Sequence, residues 1–568
     1  MVLTKFILVI LISLTGWTNA FSQSIEFVHS GVSEREAADI EQLLNTYSKE
    51  NAKQLSDRIL LLYRDRGYFD AVIDRFSLMK SKKITKMNLL MNEGESYSFG
   101  RSRLKNSDII GEESLGDFEG ENVSKELIRN EAEKISTELA ERGYPLSKVI
   151  ANPVILYSES EHEVVLEFDL EAGELIEIDS VLFRGNENTN PRFLLNEMQF
   201  NKGMKYSITG FDRRLSSLNR LGYISNAKQL GISSGLNGSK ALIVNLEESS
   251  ANRMQGIIGY IPESSGGSEG YFTGSLDFGF GNLFGSGRRL QAKWSKEDRN
   301  TEELKLSYEE PYPFDLNLKL GLGFSQLVQD SSYLKRNSEV RLKIPFSINL
   351  TLFGESAREN ISARSFAQEK YGLVDHSIYL VTGGFTYDDR DFPANPLKGF
   401  YYETSVSTAL RKESGKKSEG GRRLSLIAEY YIGITNRSII SLNIHAFNVR
   451  TDTGKVPFSD LFRVGGATSL RGYRENQFRG ASVGWANIEY RLITGKISRL
   501  FVFSDIGFIS DRQRFISDRQ QQGDISRFSY GAGIRTSTAV GQIGIDFGIG
   551  EGDSFSNGKI HLSLNGAF

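Results

Sequence analysis

A chain of 568 residues with 56 glycines, 10 prolines and no cysteine is too long for one ordinary domain and has no disulfides or thiolate metal sites. Its formal charge of −3 gives no reason to invoke nucleic acid, and its five histidines, His29, His162, His376, His445 and His561, lie far apart without ligand-like spacing, which argues against a metal enzyme. With 36 Phe and 23 Tyr but 3 Trp, the composition suits twisted, tightly turned antiparallel sheet better than a helical bundle.

The first residues read as an export signal. Lys5 supplies a positive start, Phe6 to Leu14 a short apolar core, and Thr18 and Ala20 the small residues before a cut after Ala20; a cut after Ser22 is nearly as good. The apolar core is too short to cross a bilayer comfortably, so residues 1–22 are expected to be a signal peptide. Beyond residue 25 no run approaches 18 apolar residues, which excludes an inner-membrane helix and points to the periplasm or the outer membrane.

Residues 24 to 249 repeat. Arg66-Gly67-Tyr68-Phe69, Arg142-Gly143-Tyr144-Pro145 and Leu221-Gly222-Tyr223-Ile224 recur at intervals of 76 and 79 residues. Each follows an amphipathic helix, with stripes of Leu55, Ile59, Leu60 and Tyr63, then Leu127, Ile128, Ala132, Ile135 and Leu139, then Phe211, Leu215, Leu218 and Leu221. The glycine ends the helix, the tyrosine begins the return into sheet, and a strand closes each unit: Ile84 to Leu90, Val164 to Leu170, and Leu242 to Leu246. A period near 77 holding a strand, two helices and two strands predicts small α+β domains in tandem at 24–97, 98–175 and 176–249. The pattern resembles the POTRA domain, which lies in the periplasm ahead of outer-membrane barrels. Phe183-Arg184-Gly185-Asn186, after the strand Ile176 to Leu182, is similar to that domain's first strand and turn.

From 250 to 568 the periodicity changes to two. Leu316, Leu318, Leu320, Leu322 and Phe324 alternate with Asn317, Lys319, Gly321 and Gly323, and Ile560, Leu562, Leu564, Gly566 and Phe568 alternate with Lys559, His561, Ser563, Asn565 and Ala567. Sixteen such segments, from near Arg253–Tyr260 to Lys559–Phe568, leave about 20 residues per strand and connection, enough for the ~9–11 that span a bilayer. An apolar outer face and a polar inner one predict a 16-stranded antiparallel transmembrane β-barrel.

The longest connection, Arg450 to Gly480, joins the eleventh and twelfth segments and is rich in glycine and aromatics, as befits a loop folded back into a wide barrel. Glu489 and Asp505 follow on adjacent strands. The local pattern leaves the direction of Asp505 open, but a charge facing lipid costs several kcal/mol, which assigns it to the lumen.

Ser469-Leu470-Arg471-Gly472-Tyr473 resembles the (V/L)RG(F/Y) loop motif of the outer-membrane assembly-factor superfamily, the BamA- and TamA-like proteins, and Phe503-Ser504-Asp505-Ile506-Gly507-Phe508 resembles its matching strand motif. Gly281 to Arg288, Tyr308 to Tyr312, and Tyr387-Asp388-Asp389-Arg390-Asp391-Phe392-Pro393 with Pro396 and Gly399 are similar to its turns and mid-barrel segment. The resemblance implies that the loop enters the barrel and that Arg471, beside Gly472 and Tyr473, pairs with Asp505 and Glu489.

It implies an insertion factor that presents client strands, held first by the periplasmic domains, to a lateral seam between the first and last strands. Ile258, Leu564 and Phe568 mark that seam, and Gly256, Gly259 and Gly566 weaken its packing. The expected partners are unfolded outer-membrane protein clients and outer-membrane lipid, with accessory lipoproteins or an inner-membrane partner left open; no cofactor, metal or catalytic residue is expected. A two-partner-secretion-type transporter is the alternative, although that relative usually has two POTRA domains and a plug helix. A passive porin or adhesin leaves the tandem domains unexplained, and no Ser-His-Asp set or nucleotide loop suggests an enzyme.

Overall fold

The computed structural model describes residues 24–567 apart from 31, 33, 47–51, 81–83, 107, 159–160, 236, 262–270, 297, 331, 511–523 and 539–540. The expected signal peptide and Phe568 lie outside the described residues. Two compact units emerge, one ending at Glu177 and including Lys205–Ile208, the other comprising Ile178–Met204 and Thr209–Phe568.

The first unit holds two sheets. Strand Ser24–Ser30 runs parallel to Ile84–Asn92, which pairs antiparallel with Val72–Lys80. Helix Ala52–Arg64 buries Leu55, Ile59 and Tyr63 in one cluster with Ile40, Met87, Leu89 and Met91. The helix stops where Gly67 takes a φ of +87° and Tyr68 N–H donates to Tyr63 O at 3.0 Å, the left-handed end that glycine adopts without a Cβ clash. A Cβ on Gly67 would also stand 2.7 Å from Val123 O, so this residue lets the neighbouring repeat approach as well.

The second sheet sets Ser98–Phe99 and Arg103–Lys105 parallel to Glu161–Glu171, with Lys148–Ser158 antiparallel on the other side. It carries one α-helix, Lys125–Glu141, capped by Ser124 Oγ accepting from Leu127 N–H. This corrects the expected pair of helices: among the described residues only the short 3₁₀ turn Glu112–Ser114 stands before it. Gly111, Gly116 and Gly120 interrupt any helical run there, and the buried Glu131 carboxylate holds the loop by accepting from Gly116 N–H at 2.6 Å.

In the second unit, Ser180–Arg184 runs parallel to Lys240–Glu248, which pairs antiparallel with Ile224–Ser234. The expected strand Ile176–Leu182 is broken here into Glu177–Ile178 and Ser180–Arg184. Asp179 sits at the break, its N–H donating to Lys240 O and its carboxylate accepting from Lys240 N–H. Helix Ile208–Asn219 buries Phe211, Leu215 and Leu218.

Sixteen antiparallel strands follow in sequence order and close on themselves, from Asn252–Ile261 to Lys559–Ala567, in lengths of 9 to 15 residues. Alternation sorts their faces. On the thirteenth strand, Arg499–Ser510, Leu500, Val502, Ile506 and Phe508 are exposed while Phe501, Phe503, Asp505 and Ile509 are buried.

The 180–248 sheet is fastened to one end of this barrel. Asn190 N–H donates to Gly285 O at 2.8 Å, and Asn282 Nδ2 donates to Thr189 Oγ1 at 2.9 Å. Glu197 accepts from Tyr312 Oη at 3.1 Å and from Lys319 Nζ at 2.5 Å, and Arg220 Nη2 donates to Ile348 O at 2.7 Å. Burial, with Glu197 beside it, raises the Tyr312 pKa well above the ordinary phenol value and keeps its hydroxyl a donor. The short turns at 284–287, 312–318 and 346–349 therefore mark the end of the barrel that holds this sheet. Glu197→Ala is expected to leave Lys319 half-buried without its carboxylate and to weaken this docking by about 2–4 kcal/mol. Limited proteolysis of the 180–248 region checks it; unchanged cleavage rates contradict the anchoring role.

Candidate functional site in the barrel lumen

The loop between the eleventh strand, Ser438–Thr451, and the twelfth, Ser482–Ile493, folds inward. Its base is a short hairpin pairing Phe462–Val464 with Phe478–Gly480. Val464, Leu470, Tyr473 and Phe478 form one apolar cluster with Val483 and Ile509 of the wall. Burial of this apolar surface gives the loop a reason to leave water.

Arg471 stands at the tip, 5 % exposed, with Asp505 at 0 % and Glu489 at 6 %. Its Nε and Nη2 donate to the two oxygens of Asp505 at 2.9 and 2.7 Å, and its backbone N–H donates to Oδ2 at 3.0 Å. Nη1 donates to Glu489 Oε1 at 2.5 Å, while the other oxygen of Glu489 accepts from Arg491 Nε at 2.7 Å. The guanidinium lies 3.6 Å from the centroid of the Phe503 ring, a cation–π contact in a buried setting. Burial opposes its charge, yet the hydrogen bonds to Asp505 and the charge of Glu489 hold its pKa above the ordinary guanidinium value. A planar fork serving two carboxylates is what arginine offers and lysine does not.

Three neighbours position this group. Asn487 Nδ2 donates to Ser469 O at 2.7 Å, and Ser469 Oγ accepts from Gly465 N–H at 2.8 Å. Tyr473 Oη donates to Phe528 O at 2.8 Å and accepts from Glu551 N–H at 3.1 Å, tying the tip to the strands beyond. Gly472 has a φ of +86°, and a Cβ on it would lie 2.8 Å from both Gly550 N and Ile549 C. Gly472→Ala is therefore expected to push the tip off the fifteenth strand, Gly541–Gly550, at about 1–3 kcal/mol. A lower denaturant midpoint of the folded barrel would show it; an unchanged midpoint contradicts the tight approach.

The structure thus brings Arg471, Gly472, Tyr473, Asp505 and Glu489 together. Sequence reasoning missed Arg491, Asn487 and the Phe503 ring. The inward parity of the twelfth and thirteenth strands carries them all, since Asn487, Glu489 and Arg491 share one face. Asp388 and Arg390 of the mid-barrel segment form a two-point ion pair at 2.9 Å, extended to Glu429 at 2.7 Å. No group of three or more His, Asp or Glu that could hold a metal ion occurs among the described residues.

The seam is short. Among the described residues the first strand pairs with the second over ten positions, Asn252 to Ile261, but with the sixteenth only at Arg253–Ala567, Met254–Gly566 and Gln255–Asn565. Ile258 and Leu564 are not among these pairs; they face Gly274 and Ile543 on their other neighbours. The described residues directly opposite each other across the seam are thus shifted from the expected Ile258 and Leu564.

A closed 16-stranded barrel with a loop drawn inward to buried carboxylates, preceded in the chain by small sheets that each carry helix, defines a class of outer-membrane protein. The Omp85 superfamily domain matches residues 282–568, and the chain belongs to that superfamily. A protein from Nitratidesulfovibrio vulgaris (strain Hildenborough) named outer membrane protein assembly factor BamA is 21% identical over 467 residues, 75% of this chain and 56% of that protein. A protein of the same name from Buchnera aphidicola subsp. Acyrthosiphon pisum is 22% identical over 287 residues, 49% of this chain and 45% of that one. The chain thus spans about half the length of the curated relatives it matches. The structure of CdiB from Escherichia coli, 12% identical, covers 95% of this chain and all of that one at a TM-score of 0.53, a likeness of fold.

Proposed function

We propose that this protein inserts other polypeptides into the outer membrane, offering client strands the edges of a weak seam while three periplasmic POTRA-like domains, at 24–97, 98–175 and 176–249, receive them. The observation that carries the reading is the contrast, among the described residues, between a wall paired over ten positions on one side of the first strand and three on the other. An unpaired strand in hydrocarbon costs several kcal/mol for each exposed N–H or C=O, so a barrel that lends its own edge removes the main obstacle to insertion. The Arg471 clamp ties the inward loop to the twelfth and thirteenth strands and holds that wall in shape while the seam yields. The names of the curated relatives support assembly over export; membership in the superfamily and the fold alone are compatible with both.

The deciding experiment is depletion followed by quantitative outer-membrane proteomics. Loss of several unrelated barrels supports insertion. Loss of a single large secreted polypeptide, with other barrels unchanged, replaces it with a two-partner-secretion transporter.

A further inference from the structure

The lipid-facing wall opposite the seam carries an unbalanced charge. On the sixth to eleventh strands, Tyr333–Pro345, Leu350–Ala363, His376–Asp388, Gly399–Glu413, Glu419–Gly433 and Ser438–Thr451, side chains alternate strictly between lumen and exterior. Every acidic residue of these strands falls on an inward position: Glu339, Glu355, Glu359, Asp388, Glu403, Glu413, Glu419 and Glu429. Inward cations are matched to them: Lys335 and Arg423 to Glu359 at 3.0 and 2.7 Å, Arg341 to Glu355, and Arg411 to Glu413 at 2.7 Å.

Outward positions are different. Arg336, Arg358, Lys412, Arg422 and Arg450 are all exposed, and none has a carboxylate partner among the described residues. All five lie toward the strand ends remote from the turns that hold the 180–248 sheet. Just below them the same outer face is apolar, with Val340, Val381, Val406, Leu424 and Ile444 exposed. Arg422 and Arg450 sit directly opposite each other in the register. Like charges in that position repel and destabilise the pair unless an anion lies between them. Arg358 and Lys412 both approach the ring of Tyr379, at 5.3 and 5.1 Å from its centroid, which gathers two more cations at one point. Arg336 Nε has only the neutral Gln326 amide oxygen, at 2.9 Å.

We infer that this collar binds the phosphate groups of outer-leaflet lipid, with the acyl chains of the same molecule lying on the apolar band beneath. Their positive charge complements a phosphate, and the repulsion between Arg422 and Arg450 becomes an attraction shared by one phosphate. Its place at the end of the apolar band selects a headgroup attached to acyl chains over a phosphate free in solution. The inference does not depend on whether the protein inserts clients or exports them.

The test uses the full chain purified in detergent. Retention of bisphosphorylated lipid A is measured by native mass spectrometry against lipid A stripped of its phosphates, for the wild type, for R358Q/K412Q/R422Q/R450Q and for R422K/R450K. The wild type is expected to prefer the phosphorylated lipid, the four-site glutamine variant to hold it at least about tenfold more weakly, and the lysine variant to keep most of the binding. Equal retention of the two lipids, or full retention by the glutamine variant, overturns the site. Loss in the lysine variant as severe as in the glutamine variant overturns it too, because charge would then not be what binds. Displacement of the lipid by excess inorganic phosphate overturns the lipid assignment.

Discussion

Replacing Arg471 by alanine is expected to free the inward loop and lower the stability of the folded barrel by about 3–5 kcal/mol. The loss is large because two buried carboxylates are left behind. Among the described residues all three hydrogen bonds to Asp505 come from Arg471, one of them from the backbone N–H, so the substitution strips it of charge compensation. Glu489 keeps Arg491, which limits the damage on that side. Arg471→Lys should fall between, since one ammonium cannot grip both oxygens of Asp505 and reach Glu489 with a fixed fork. Two readouts decide: the temperature at which the barrel loses its compact electrophoretic mobility, and protease cleavage within 462–480. An alanine variant with the wild-type midpoint and a protected loop would remove the clamp from any account of this protein.

Locking the seam is expected to abolish client insertion while leaving the barrel folded. Cysteines at Gln255 and Asn565 stand opposite in the register, within the span a disulfide bridges between paired strands. The native chain has no cysteine, so no competing thiol confuses the result. Oxidised protein should fail to insert a reporter barrel, and reduction should restore it to the wild-type rate. Continued insertion with the bond formed would mean that clients do not enter through these edges.

Much of this architecture was legible in residue order because β-barrels and helix ends obey short-range rules. Period-two alternation located the first and last strands to within a residue or two, and Gly67, Gly143 and Gly222 all take positive φ where the repeat pattern ends its helices. Arg471 and its two carboxylates came from a resemblance, because their separation in sequence, 18 and 34 residues, carries no local signal. The second repeat misled because a long helix there is followed by the same Gly-Tyr ending; nothing in that ending reports whether a first helix precedes it. The seam register was likewise unreadable. Alternation says which face a residue takes, but sliding two strands by two residues keeps every face and changes every partner.

Arg471 and its two carboxylates are almost wholly buried. Exposed ion pairs weaken as salinity rises, because mobile ions gather around them within about 8–10 Å. A clasp this deeply buried, with its guanidinium over the Phe503 ring, is screened far less. The surroundings of a cell can swing from fresh to briny with little effect on it, and movement of the wall itself is the more direct way to release this loop.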